Sequence, residues 1–332
     1  MVAAWRLPDC VMVKRIALLG FVWCVFLAAS GFAQGAQIFG DTQSAHLRAI
    51  HAAIGWNAVL AGGLRGRVDE PRILAGRANT CGSARLMLLD VSAWERDGQR
   101  FREVPVWQLL DRQAFFFISG MTIDADGSPN AYHPHDAADD AADDTAADAG
   151  LDELANAGKP GDWNGIITDR DGDPLIQQER DPYPGYYISC TSLSDKTKTF
   201  TDPTRYVDAS KIPYVVLPQE VADRGGARLG DFAVVVNLGN GKSSFAIYAD
   251  IGTLGEGSVA LANALGIQSD ARHGGESDGI LYLVFPGSGN RRPRTIGEIQ
   301  SAGEKLLMDQ WDEMTKVSSC VGGDNPEGNG EF

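Results

Sequence analysis

Residues Asp231 to Gly266 read DFAVVVNLGNGKSSFAIYADIGTLGEGSVALANALG. Two runs rich in Val, Phe, Ile and Ala flank Asn240-Gly241, whose tolerance of positive φ predicts a tight turn between two buried strands. The second strand is expected to end at Asp250. A helix is predicted from about Gly255 to Leu265, with Val259, Ala262 and Leu265 at helical spacing and Gly266 as its stop. Strand, turn and helix therefore bring Asp250 and Glu256 close together in the chain, with only IGTLG between them.

Working outward, LMLLDVSAW, just after Cys81, predicts a first apolar strand, and QAFFFISGMTID predicts an aromatic-rich central one. GILYLVFPG reads as a short strand buried on both faces. TIGEIQSAGEKLLMDQW reads as a helix opened by Thr295 and Glu298 at capping-box spacing. With 39 glycines and 15 prolines in 332 residues, the chain favours a turn-rich body, mainly β with a few helices (α+β), over a helical bundle. HDAADDAADDTAADAG, over 135–150, lacks the Asp, Asn and Gly spread and closing Glu of a calcium loop and reads as a solvated insertion.

At the N-terminus, Lys14 and Arg15 precede IALLGFVWCVFLAASGFA, the pattern of a secretory signal over 1–33, with Gly31 and Ala33 as the small residues before cleavage. The apolar run approaches bilayer-spanning length, so an uncleaved anchor is the competing reading; no later segment is long and apolar enough to span. An exported protein, extracellular or periplasmic, is expected. Residues 34–77 carry a weak helical period; His46 and His51, five apart, do not stack as a zinc pair would. Residues 78–315 form the expected main folded domain, and 316–332 a disordered tail. Cleavage would leave Cys81, Cys190 and Cys320, enough for one disulfide and an odd thiol, with the pairing open.

The formal net charge of −15 argues against nucleic acid and anionic membrane as partners and suits a cationic one. GxSxG, Walker, HExxH and dinucleotide motifs are missing, and GSGN at 287–290 opens no long helix that would make it a phosphate cradle. What remains is the acid pair. A turn of this length can set two carboxylates on opposite walls of a cleft, one to protonate a leaving oxygen and the other to activate water. Read from spacing alone, the plainer alternative is structural: Asp250 bonds its own turn, and Glu256 complements a helix dipole.

AIYADIGTLGEGSVALANALGI, FFFISGMTIDADGSPNAYHP, GLDELANAGKPGDWNGI, PYPGYYISCTSL, YVDASKIPYVVLP, ARLGDFAVVVNLGNG and GILYLVFPGSGN together resemble the chitosanases of glycoside hydrolase family 75, from about Cys81 to about Trp311. The resemblance implies endo-hydrolysis of β-1,4-linked glucosamine polymer with inversion. It also implies catalysis by an Asp and a Glu, carried over onto Asp250 and Glu256. Fungal members have a longer connection between the two acids than IGTLG. The DIG at Asp250 further resembles the Asp-Thr-Gly turn of lytic transglycosylases, which suggests a six-stranded double-psi-like barrel with Asp250 as acid. Glu256 at a helix N-terminus would then be the base.

Chitosan is a polycation, so Asp124, Asp126 and Asp231 are candidates for amine recognition, and Tyr132, Trp163, Tyr186 and Tyr187 for sugar faces; core packing is the alternative role for each aromatic. His133 and His135 are read as solvated. A monomer without metal or organic cofactor is expected. The rival readings are a peptidoglycan hydrolase or lytic transglycosylase, and a non-catalytic wall-polysaccharide-binding module.

Overall fold

The computed structural model describes residues 84–94, 101–109, 113–137 and 150–309. The signal segment, residues 34–77 with His46 and His51, most of the Asp/Ala-rich insertion and the tail lie outside the described residues. The strands are β1 (Ala84–Trp94), β2 (Phe101–Leu109), β3 (Phe115–Asp124), β4 (Gly158–Lys159), β5 (Asp162–Trp163), β6 (Tyr214–Leu217), β7 (Phe232–Asn237), β8 (Ser243–Ile251), β9 (Glu256–Ser258) and β10 (Glu276–Phe285). The helices are α1 (Gln219–Gly225), α2 (Val259–Leu265) and α3 (Ile296–Asp309). None of these helices is long and apolar enough to cross a membrane.

Six strands close into a barrel in the order β3-β10-β7-β8-β6-β9, with β9 returning to β3. The β3–β10, β10–β7, β7–β8 and β6–β9 pairs are antiparallel, whereas β8–β6 and β9–β3 are parallel. A β1–β2 hairpin joins this barrel through Trp107 and Gln108 of β2, opposite Phe116 and Phe115. Two strands thus take successive stretches of β3: β2 at Phe115 and Phe116, then β9 at Thr122 to Asp124. Gly120 lies between these stretches, where a Cβ would come within 2.5 Å of the Glu276 carbonyl, so only glycine lets β10 pass this closely.

Alternation along the strands divides the apolar residues between two layers. Phe116, Val234, Phe245, Ile247 and Leu283 belong to one, with Ile299 of α3 packed among them. Phe117, Val235, Tyr248 and Tyr282 belong to the other, together with Val221 of α1 and Leu261 of α2. Within it the Phe117 and Tyr282 rings stack at 4.6 Å. The expected capping box forms at α3: Thr295 N donates to Glu298 Oε2 at 2.7 Å, and Glu298 N donates to Thr295 Oγ1 at 3.3 Å.

Two local expectations are revised. The hairpin connection spans residues 238–242, and only Gly241 has positive φ, +75°. Asn237 N donates to Lys242 O and Gly241 N to Asn237 O, each at 2.8 Å, so the turn is longer than the two-residue form the Asn-Gly pair suggests. More consequentially, Glu256 opens a strand rather than a helix. The helix begins after Ser258, whose hydroxyl accepts from Leu261 N as its N-cap. The dipole argument for Glu256 therefore falls, because β9 separates it from the helix.

Candidate active site

Asp250 is the penultimate residue of β8, Asp124 ends β3, and Asp126 follows two residues later. Because β3 and β8 bring these points together, the three carboxylates offer oxygens within 4.8 Å of one another, all buried. Among the described residues this is also the one grouping close enough to consider for a metal. One oxygen of each acid already accepts hydrogen bonds. Asp250 Oδ1 takes the Ser192 hydroxyl at 2.6 Å, the Ser192 amide at 3.0 Å and its neighbour Ile251 N at 2.8 Å. Asp126 Oδ1 takes the Tyr132 hydroxyl at 2.7 Å, and Asp124 Oδ1 takes Asp126 N at 2.8 Å. We therefore read the group as hydrogen-bonded acids.

Burial, reinforced by the Asp124 carboxylate, pushes the Asp250 carboxyl up from the ordinary 3.8 to about 7, against the Ser192 and Ile251 hydrogen bonds that favour its anion. Burial and then the Asp126, Asp152 and Asp124 charges drive the Tyr132 phenol well above its usual range, so it stays neutral and donates. Tyr214 behaves alike, and its hydroxyl donates to the Asp126 carbonyl at 3.0 Å. Gly165 fits against the same carboxylate: a Cβ there would come within 2.4 Å of Asp126 Oδ1.

Glu256 lies on β9 opposite Thr122, two residues before Asp124. Its Oε2 accepts from Thr253 N at 3.0 Å, inside the five-residue connection that also bonds Asp250 through Ile251. Each acid is thus tied to the backbone of the turn between them. Gly255 makes the turn possible, with φ at +86° and a Cβ position only 2.7 Å from Ser119 Oγ. Both acids are deeply buried, Asp250 at 3% exposure and Glu256 at 4%.

The remaining candidates divide. Tyr132 is 1% exposed, so it supports the cluster from beneath through Asp126. Trp163 and Tyr187 are half-buried, with rings 6.3 Å apart at 45°, and Tyr186 lies edge-on to His133 at 4.7 Å. His133 is half-buried and His135 exposed. Asp231 stands outside the cluster: its carboxylate accepts from Arg228 N at 2.8 Å, Gly287 N at 2.9 Å and Gly289 N at 2.8 Å. The GSGN turn does cradle an anion, but the anion is Asp231. A cavity of about 700 Å³, lined by Leu175, Ile176, Arg180, Ile188, Thr199 and Asp202 among others, includes none of the clustered acids.

Sequence reasoning missed Ser192, Tyr214 and Asp152 as members of the network. Ser192 lies 58 residues from Asp250, so no local spacing could have paired them.

A closed β-barrel whose strand ends gather a carboxyl raised to about 7 beside further carboxylates is equipped for acid–base cleavage of the glycoside-hydrolase kind. The family model described as fungal chitosanase of glycosyl hydrolase group 75 matches residues 121–316, more than half of the chain. The chain belongs to that family and is a chitosan-degrading glycoside hydrolase. A search of the curated proteins returned no match.

Proposed function

We propose that the chain is an exported, monomeric endo-chitosanase that cleaves β-1,4-linked glucosamine polymer with inversion, using Asp250 as general acid and Glu256 as general base. One observation carries the division of roles. The Asp250 carboxyl, pushed up to about 7, keeps its proton over the acidic range in which chitosan is a polycation. Glu256 accepts the Thr253 N–H at 3.0 Å, which holds its side chain against the turn that leads from Asp250. The two flank one turn, so a sugar chain crossing it meets a proton donor and a water-activating base together. The net charge of −15 attracts the polymer's ammonium groups, and Trp163 and Tyr187 offer rings to its sugars. Cys190 is disulfide-bonded, and a structural disulfide supports export to an oxidising compartment, with residues 1–33 as the signal.

The test compares the purified chain from Gln34 onward with its Asp250→Asn and Glu256→Gln variants on soluble chitosan, peptidoglycan and cellulose. Reducing ends should appear from chitosan with wild type alone, and proton NMR of the first products should show the α anomer. Full activity in both variants, or a β-anomeric first product, would overturn the assignment.

A further inference from the structure

Asp124 was a candidate for gripping substrate amines, yet its surroundings suit another task. It is 7% exposed, ends the strand that pairs with the Glu256 strand, and its carboxylate stands within 4.8 Å of those of Asp250 and Asp126. Its Oδ1 accepts from Asp126 N at 2.8 Å, which holds the side chain in the cluster. We propose that Asp124 is a positioning residue whose buried negative charge beside Asp250 keeps the acid's proton in place until the leaving oxygen takes it. This inference rests on the reading of Asp250 as general acid.

The physical ground is that two carboxyls in one dry site cannot both ionise cheaply, so the pair shares a proton over a wide pH range. The groups around Asp250 support this. From β3 and the turn after it come Asp124 and Asp126, the latter holding the Tyr132 hydroxyl and, through it, the more distant Asp152. β6 contributes the neutral phenol of Tyr214, and β8 itself that of Tyr248. β9 carries Glu256, bonded to Thr253 N. The segment containing Ser192 brings an amide and a hydroxyl that favour the Asp250 anion and so oppose Asp124. Asp124 and Ser192 thus pull the same proton in opposite directions.

That opposition yields a test which loss of packing cannot imitate. Asp124→Asn should move the alkaline limb of the kcat/KM profile on soluble chitosan down by about one pH unit or more, while Ser192→Ala should move it up. At the acidic end, Asp124→Asn should stay within about threefold of wild type, because Asp250 is protonated there in either protein. If Asp124 instead grips substrate amines, KM rises at every pH and the limb stays where it was, which refutes the proposal. Carbon-13 NMR titration of the wild-type aspartate carboxyls covers the case in which the variant does not fold. A pair with one midpoint raised toward neutrality supports the proposal, and two independent midpoints near 4 overturn it. The underlying reading fails separately, through retained activity in Asp250→Asn.

Discussion

Replacing Asp250 with Asn should make the protein more stable at neutral pH while removing its activity. The carboxyl sits at about 7 in the folded chain against 3.8 when free, so the folded state binds its proton more tightly than the unfolded state does. For such a raised acid the contribution to stability is fully present below about 3.8 and is lost as pH rises through about 7. A span of about three pH units, at about 1.4 kcal/mol each, sets a ceiling of about 4 kcal/mol on the penalty carried at pH 8. Asn cannot ionise, and its oxygen can still accept from the Ser192 amide and Ile251 N. Its amide nitrogen does not match every existing bond, so about half the ceiling, ~2 kcal/mol, is the expected gain. For a domain of this size that raises Tm by about 4 to 8 °C at pH 8 and by close to nothing at pH 4. Thermal unfolding followed by circular dichroism at both pH values reads this out directly. Equal Tm values at pH 8, or a gain of the same size at pH 4, would refute the claim that the folded chain strains against a charge at this position.

Two further outcomes follow from the turn and its neighbours. Gly255→Ala forces a Cβ to within 2.7 Å of Ser119 Oγ at φ +86°, so it should cost about 2 to 4 kcal/mol in urea unfolding and displace Glu256 enough to abolish turnover. Gly279→Ala, at φ +78° with open space around it, is the control and should cost only about 1 kcal/mol with activity kept; equal effects at the two sites would refute the steric account. Ser258→Ala removes the α2 cap to Leu261 N at 3.1 Å, the bond from Tyr214 N at 3.0 Å and the donation to Ile212 O at 2.8 Å. It should lower stability by about 2 to 3 kcal/mol in calorimetry, and a change below about 0.5 kcal/mol would show that these bonds are replaced by water.

Much of this fold is legible because it is written locally. The apolar runs that became β3, β7, β8 and β10 declare themselves by composition, and α3 by its capping residues. β2 does not, since FREVPVWQL carries Pro105 and mixed polarity. The proline is tolerated where the β1–β2 register breaks between Leu88 and Val91. β9 is the opposite case from a long apolar strand: three residues, Glu-Gly-Ser, with no β propensity of their own, made into a strand by β3 and β6. This is why Glu256 reads as a helix start. Both acids of the proposed pair were visible because they lie six positions apart in a recognisable motif. The Asp124–Asp250 proximity and the Ser192 bonds were not, because they exist only once the barrel has closed over separations of 58 residues and more.

The way β3 is shared has a consequence for where the folding unit begins. The family match starts at Met121, yet five of the six β3–β10 pairs use residues that precede it, from Phe115 to Ser119. A chain cut at Met121 would keep Asp124, Asp126, Asp250 and Glu256 and lose most of the seam that joins β3 to β10, leaving an open sheet with a bare edge in place of a closed wall. The stretch that carries the chemistry is therefore shorter than the stretch that holds it in shape, and its indispensable leading segment is Phe115 to Gly120.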